Sequence, residues 1–94
     1  MALKVKFYSL FKINLKKSGE EYELENPITI SELINYLDED YDQYFSNKLL
    51  DDKGFISPGS IILVNGKNVL HVNELDTEVK DGDIVTLFPP SAGG

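Results

Sequence analysis

The chain has 94 residues, 41% of them hydrophobic, and 16 acidic against 9 basic side chains give a formal net charge of −7. That length supports one domain with a modest core and is too short for two. Every basic residue is lysine, which with the acidic excess argues against a nucleic-acid surface, and the absence of cysteine excludes disulfides, thiolate metal sites and a cysteine nucleophile.

Met1-Ala2-Leu3-Lys4-Val5-Lys6 enters an alternating pattern at once, without a charged segment leading into an apolar one. No apolar run approaches membrane-spanning length, so a soluble, cytoplasmic protein with no membrane partner is expected. Leu3, Val5 and Phe7 alternate with Lys4, Lys6 and Tyr8, the period of a strand with one buried face. Phe11 to Leu15 continues that pattern less cleanly. Lys17-Ser18-Gly19 signals a turn, and a second strand from about Glu20 to Glu25 puts Tyr22 and Leu24 on one side and Glu21, Glu23 and Glu25 in water, forming an antiparallel hairpin with the first.

Pro27 breaks this strand, and Thr29-Ile30-Ser31-Glu32 reads as a capping box. Ile30, Leu33, Ile34 and Leu37 follow as the apolar stripe of an amphipathic helix that ends near Asp38 to Asp40. Tyr41, Tyr44 and Phe45 are candidates to anchor a short second helix, with Leu49 and Leu50 packed beneath it. Asp51 to Gly54 and Ser57-Pro58-Gly59 are turns. Ile61 to Val64 reads as a buried strand of four aliphatics, and Asn65-Gly66 as a type I′ hairpin turn with Asn68 to Val72 returning. Asp81-Gly82-Asp83 turns into a last strand, Ile84 to Phe88. The expected fold is α+β, a β-grasp (ubiquitin-like) domain over residues 1–88 with a mixed sheet packed on one main helix, followed by an extended tail over 89–94.

The tail is Pro89-Pro90-Ser91-Ala92-Gly93-Gly94. Both prolines lack an N–H and stop the strand at Phe88, and their extended preference directs the tail off the domain. Ala92, Gly93 and Gly94 are slender enough for a narrow channel. A carboxylate is a poor acyl donor until it attacks the α-phosphate of ATP to form an acyl adenylate. No phosphate-cradling glycine motif is present, so no bound cofactor is expected and ATP is consumed by a partner that activates this chain.

Ile62-Leu63-Val64-Asn65-Gly66-Lys67-Asn68 and Asp81-Gly82-Asp83-Ile84-Val85-Thr86-Leu87-Phe88-Pro89-Pro90-Ser91-Ala92-Gly93-Gly94 resemble the MoaD/ThiS family of ubiquitin-like sulfur carriers, and most of all its MoaD branch, the small subunits of molybdopterin synthase. The resemblance implies a carrier rather than an enzyme. It implies that Gly94 is adenylated by an E1-like, MoeB-type enzyme and converted to a thiocarboxylate, with Gly93 its channel-fitting neighbour. Sulfur would then pass to the molybdopterin precursor within a MoaE-type large subunit. A second outcome stays open, in which a lysine amine takes the acyl group and the domain becomes a protein modifier.

If Val5, Phe7, Val85 and Leu87 face the helix, then Tyr8, Ile84, Thr86 and Phe88 face outward. Tyr8 and Phe88, with Pro89 and Pro90, are therefore candidate partner-binding residues beside the tail, the alternative being ordinary outward aromatics. His71 is expected to be a strand residue without a ligand set. Asp81 and Asp83 are expected to form the turn. The run Asp38-Glu39-Asp40 is either a solvated helix end or an attraction for a basic enzyme.

Overall fold

The computed structural model describes residues 1–90. β1 (Leu3–Phe7) buries Leu3, Val5 and Phe7 and exposes Lys4 and Lys6, as the alternation requires. Its neighbour on one side is β2 (Gly19–Tyr22), antiparallel, with Leu3 opposite Tyr22 and Lys6 opposite Gly19. On the other side β7 (Ile84–Phe88) runs parallel to it, Val5 beside Val85 and Phe7 beside Leu87. β4 (Ile61–Val64) and β5 (Lys67–Asn68) complete a five-stranded mixed sheet in the order β2-β1-β7-β4-β5. This is the expected β-grasp: its inner face of Leu3, Val5, Phe7, Ile62, Val85 and Leu87 is closed by α2 (Ile30–Tyr41) through Ile30, Leu33, Ile34 and Leu37, all at most 2% exposed.

The capping box at the start of α2 is complete. Thr29 Oγ1 accepts the Glu32 N–H at 3.1 Å and Glu32 Oε1 accepts the Thr29 N–H at 3.0 Å. The helix runs one residue past the expected end because Tyr41, four residues after Leu37, extends its stripe and sets its ring against Phe7 and Phe45. Asp42 and Gln43 then take left-handed conformations, and Asp38 closes the corner by accepting the Ser46 N–H on its carboxylate at 3.0 Å. α3 (Tyr44–Leu49) follows as the expected short helix, with Phe45 and Leu49 fully buried.

Four expectations need correction. Phe11 to Leu15 is not strand but helix, α1 (Leu10–Leu15), in which Phe11 is buried, Leu15 partly so, and Ile13 is 67% exposed. A strand would have put all three on one side, whereas a helix groups only residues three and four apart. Ser9 starts it at φ 56°, ψ −134°, a strained conformation for a residue with a side chain, which ends β1 more firmly than the residue pattern shows. β4 is not buried throughout: Ile62 is covered while Ile61 is 38% exposed, because antiparallel pairing with β7 leaves its outer face bare.

The returning strand is only two residues long. Asn68 Oδ1 accepts the Leu70 N–H at 2.9 Å and turns the chain into a short 3-10 segment, Val69–His71, so His71 is not in a strand. This is the local competition that asparagine side chains offer the backbone. The fourth concerns β2, which stops at Tyr22 rather than Glu25. A small antiparallel pair not expected from the sequence, β3 (Ile28–Thr29) with β6 (Glu78–Val79), joins the start of α2 to the approach to β7. At two residues each, no periodicity could announce them. The turn at Asn65-Gly66 has both φ values positive, 50° and 86°, as a type I′ hairpin requires.

Asp83 is more than a turn former. Its carboxylate accepts from Asn65 Nδ2 and from the Lys80 N–H, both at 3.0 Å, while Asn65 Oδ1 accepts the Ile84 N–H at 2.9 Å and the Asp83 carbonyl accepts the Lys4 N–H at 3.0 Å. One residue thus ties β1, β7 and the β4–β5 turn. Burial pushes its carboxyl up, but the hydrogen bonds from Asn65 and Lys80 and the Lys80 charge outweigh that and hold it below the ordinary aspartate range.

Two outcomes are expected. Phe45 is enclosed by the rings of Phe7, Phe11, Tyr41 and Tyr44 at centroid distances of 5.1, 4.8, 5.4 and 5.8 Å, so Phe45→Ala should cost about 3–5 kcal/mol in urea unfolding. Because the Asp83 carboxyl is lowered on folding, its stabilisation is complete above the unfolded value and disappears as pH falls through the folded one. Asp83→Asn should therefore cost about 1–3 kcal/mol at neutral pH, with the gap to the parent closing below about pH 4.

Candidate functional site

The tail leaves the domain from β7, so the site is built from that strand outward. Leu87 is buried beneath the sheet, and Phe88 takes the outer face opposite Ile61 of β4. The parallel ladder continues one residue beyond β1, with the Tyr8 N–H donating to the Leu87 carbonyl at 3.2 Å. That bond brings the Tyr8 ring beside the Phe88 ring, stacked at 5.1 Å between centroids and 18° between planes. Such a pair stabilises its own arrangement by about 1 kcal/mol and presents a flat aromatic surface.

Tyr8, Ile61 and Ile84 are 41%, 38% and 36% exposed, and with Phe88, Leu63 and Thr86 they form an apolar stripe on the outer face of the sheet. Lys4 and Lys6 border it from β1, at positions paired with Ile84 and Thr86. Their charge is local and opposite to that of the chain as a whole. A stripe of this kind, apolar in the middle with a charged rim, has the composition of a protein contact surface.

Pro89 and Pro90 follow outside the strand, half-buried. At Gly59, where φ is +89°, an added Cβ would lie 3.6 Å from the Cα and Cβ of Pro90, so the Ser57–Ser60 turn lies directly against the base of the tail. The turn is itself anchored: the Ser57 N–H and Ser60 Oγ both donate to the Leu49 carbonyl, at 2.8 and 3.2 Å. Asp51 braces the preceding loop by accepting the N–H groups of Lys53 and Phe55 on one carboxylate oxygen. The segment between the main helix and β4, which carries no recognisable motif, thus supports the exit of the tail. At Pro90 the chain is still against the domain rather than clear of it.

Of the residues singled out from sequence, Tyr8, Phe88, Pro89 and Pro90 are brought together at this exit. Gly93 and Gly94 lie outside the described residues. Ile61 and Gly59 join the group, and both were missed: Ile61 because a run of four aliphatics reads as core, Gly59 because its contact with Pro90 joins distant parts of the chain. His71 and the Asp38–Asp40 run are on other elements, and among the described residues no cluster of histidine, aspartate and glutamate has the arrangement to hold a metal ion. No helix among the described residues is long and apolar enough to cross a membrane.

Known proteins resemble this chain in both sequence and fold. Residues 9–94 match the model of the ThiS family. The chain is 30% identical over 94 residues to small archaeal modifier protein 3 of Haloferax volcanii, covering all of both chains. It is 36% identical over 86 residues to a protein of Archaeoglobus fulgidus named as a candidate sulfur carrier, covering 88% of this chain and 97% of that one. Among solved structures, the solution structure of a Haloferax volcanii protein superposes with a TM-score of 0.80 at 30% identity, over 100% of this chain and 87% of the other. With a family match over residues 9–94 and a relative 30% identical over its whole length, the chain belongs to the ThiS family of ubiquitin-like β-grasp proteins.

Proposed function

We propose that the chain is a sulfur carrier that works through its terminal glycine, and that the sulfur is destined for molybdopterin. The observation that carries the proposal is that the family match runs through Gly94 from a strand whose end lies beside an exposed aromatic stripe. The Gly94 carboxylate attacks the α-phosphorus of ATP, forming an acyl–phosphate C–O–P linkage and releasing pyrophosphate. Hydrosulfide then attacks the acyl carbon, the bond to the AMP oxygen breaks, and the thiocarboxylate forms with loss of a proton. The ATP site and the sulfur donor belong to an E1-like, MoeB-type partner, and a MoaE-type subunit receives the product. This chain contributes no enzyme activity of its own and acts in the cytoplasm, where ATP is available.

In this scheme the Tyr8–Phe88 stripe seats the domain on its partner, and Pro89, Pro90 and Gly93 direct Gly94 into a channel that admits only slender residues. A second reading is supported by the end-to-end similarity to an archaeal modifier protein. There the same adenylate is attacked by a lysine ε-amine, an amide forms, and AMP and a proton leave. The two readings share the activation step and part only at the acceptor.

Incubation with the activating enzyme, ATP and sulfide should add to Gly94 the mass difference between sulfur and oxygen, and addition of molybdopterin precursor with the large subunit should remove it. Amide-linked adducts on lysines ending in Gly93-Gly94 would instead favour the modifier reading, and neither product would overturn both. Deleting Gly94 should abolish activation while leaving unfolding free energy within about 0.5 kcal/mol of the parent. Tyr8→Ala together with Ile61→Lys should raise KM for activation about tenfold, or about 1.4 kcal/mol, with little change in kcat, because the stripe contributes binding rather than chemistry.

A further inference from the structure

The sheet order leaves β2 at an edge, on the opposite side of β1 from the strand that bears the tail. The Phe7 N–H donates to the Ser18 carbonyl at 2.9 Å. From that bond the antiparallel register alternates, so that Glu20 and Tyr22 turn their backbone groups toward β1 while Gly19 and Glu21 turn theirs to the open side. The same period sends Glu23 outward. Leu24, next in line and inward, has its N–H satisfied by Asp81 Oδ1 at 2.8 Å. Among the described residues no turn, loop or side-chain bond reaches the N–H of Glu21 or Glu23.

A groove of about 480 Å³ lies between this edge and α2, lined by Tyr22, Leu24, Ile28, Glu32 and Tyr36 among others. Its two rings are 5.9 Å apart, and Tyr36 is 39% exposed. The Tyr22 hydroxyl is held by Asp40 at 3.1 Å, which fixes the ring at the groove wall. Glu21 lies on the strand itself, opposite Lys4, and Glu23, Glu25 and Glu32 line the groove that continues from it. The ion pairs among the described residues, Lys17–Glu20 and Lys80–Asp83, involve none of these four.

An open strand edge recruits an extended peptide by main-chain hydrogen bonds, with side-chain pockets selecting the sequence. Here the charge decides the guest. Pairing with the β2 edge of a second copy would set glutamates beside glutamates, which is destabilising. Lysine or arginine beside Glu21 and Glu23 is favourable, and tyrosine faces attract cations as well as apolar side chains. We propose that the β2 edge takes up an extended, basic segment of a partner protein as an added strand, its apolar side chains over Tyr22 and Tyr36 and its cations beside Glu21 and Glu23. Because β1 separates this edge from β7, such a partner can be held while the tail is engaged elsewhere, and the inference stands whichever acceptor Gly94 serves.

The test uses the full chain, isotope-labelled for NMR, and a short blocked peptide alternating lysine and valine. The peptide should slow amide exchange at Glu21 and Glu23 at least about tenfold, and raising the ionic strength should weaken its binding by a similar factor. Glu21→Lys with Glu23→Lys should weaken it about tenfold or more. Glu21→Pro should do the same, since it removes an outward N–H and no ladder bond; should proline unfold the edge, the charge-reversed variant, which keeps every backbone donor, decides alone. Three results would overturn the proposal: unchanged exchange at Glu21 and Glu23 at saturation, equal binding of a glutamate–valine peptide, or shifts confined to the Tyr8–Phe88 face. Unchanged exchange, or shifts confined to the Tyr8–Phe88 face, would leave the glutamates serving only to keep the edge from pairing.

Discussion

The first and last strands, β1 and β7, pair in parallel at the centre of the sheet, and the path of the chain follows from that pairing. Parallel neighbours cannot be joined by a tight turn, so the chain between them must cross over one face of the sheet. That crossover is where α2 lies, and it covers one face only. The other face stays open, and the end of β7 comes to rest beside the end of β1. The contact between Tyr8 and Phe88 follows from this pairing, not from their separation of eighty positions in the chain.

A second consequence is the division of labour in the segment between α2 and β4. Its inward side completes the core, with Phe45 enclosed by rings from β1, α1, α2 and its own helix. Its far end carries the turn that meets Pro90. Core packing and the position of Pro90 are therefore linked mechanically, through Leu49, whose side chain is buried and whose carbonyl holds the turn. Rigid support beside Pro90 fixes the point at which the chain leaves the sheet.

Polar groups reinforce the corners. Asp83 gathers three strands at one end of the sheet, and at the β2 side the Tyr22 and Tyr41 hydroxyls donate to Asp40 and Glu20. Burial and these facing carboxylates both push the two phenols upward, so they remain protonated donors across the physiological range. The acidic excess of the chain is thus partly structural, with carboxylates serving as acceptors, and partly surface, along the β2 edge.

Elements that rest on local chemistry were legible in the residues alone: the capping box and stripe of α2, the Asn65-Gly66 turn, the alternation of β1 and the proline stop after Phe88. Because alternation carries over to side-chain direction, it also placed Tyr8 and Phe88 on the outer face. It misassigned α1, where Phe11, Ile13 and Leu15 satisfy period two while Phe11 and Leu15, four apart, also share one helical face, and it overextended the strand after Lys67, where the Asn68 side chain captures the backbone. Long-range packing alone sets which side of β4 meets water, brings Gly59 against Pro90, pairs two-residue strands across about fifty positions and makes β2 an edge. Each of these depends on which strands become neighbours, and that is settled by the summed burial of the whole core rather than by any local run of residues.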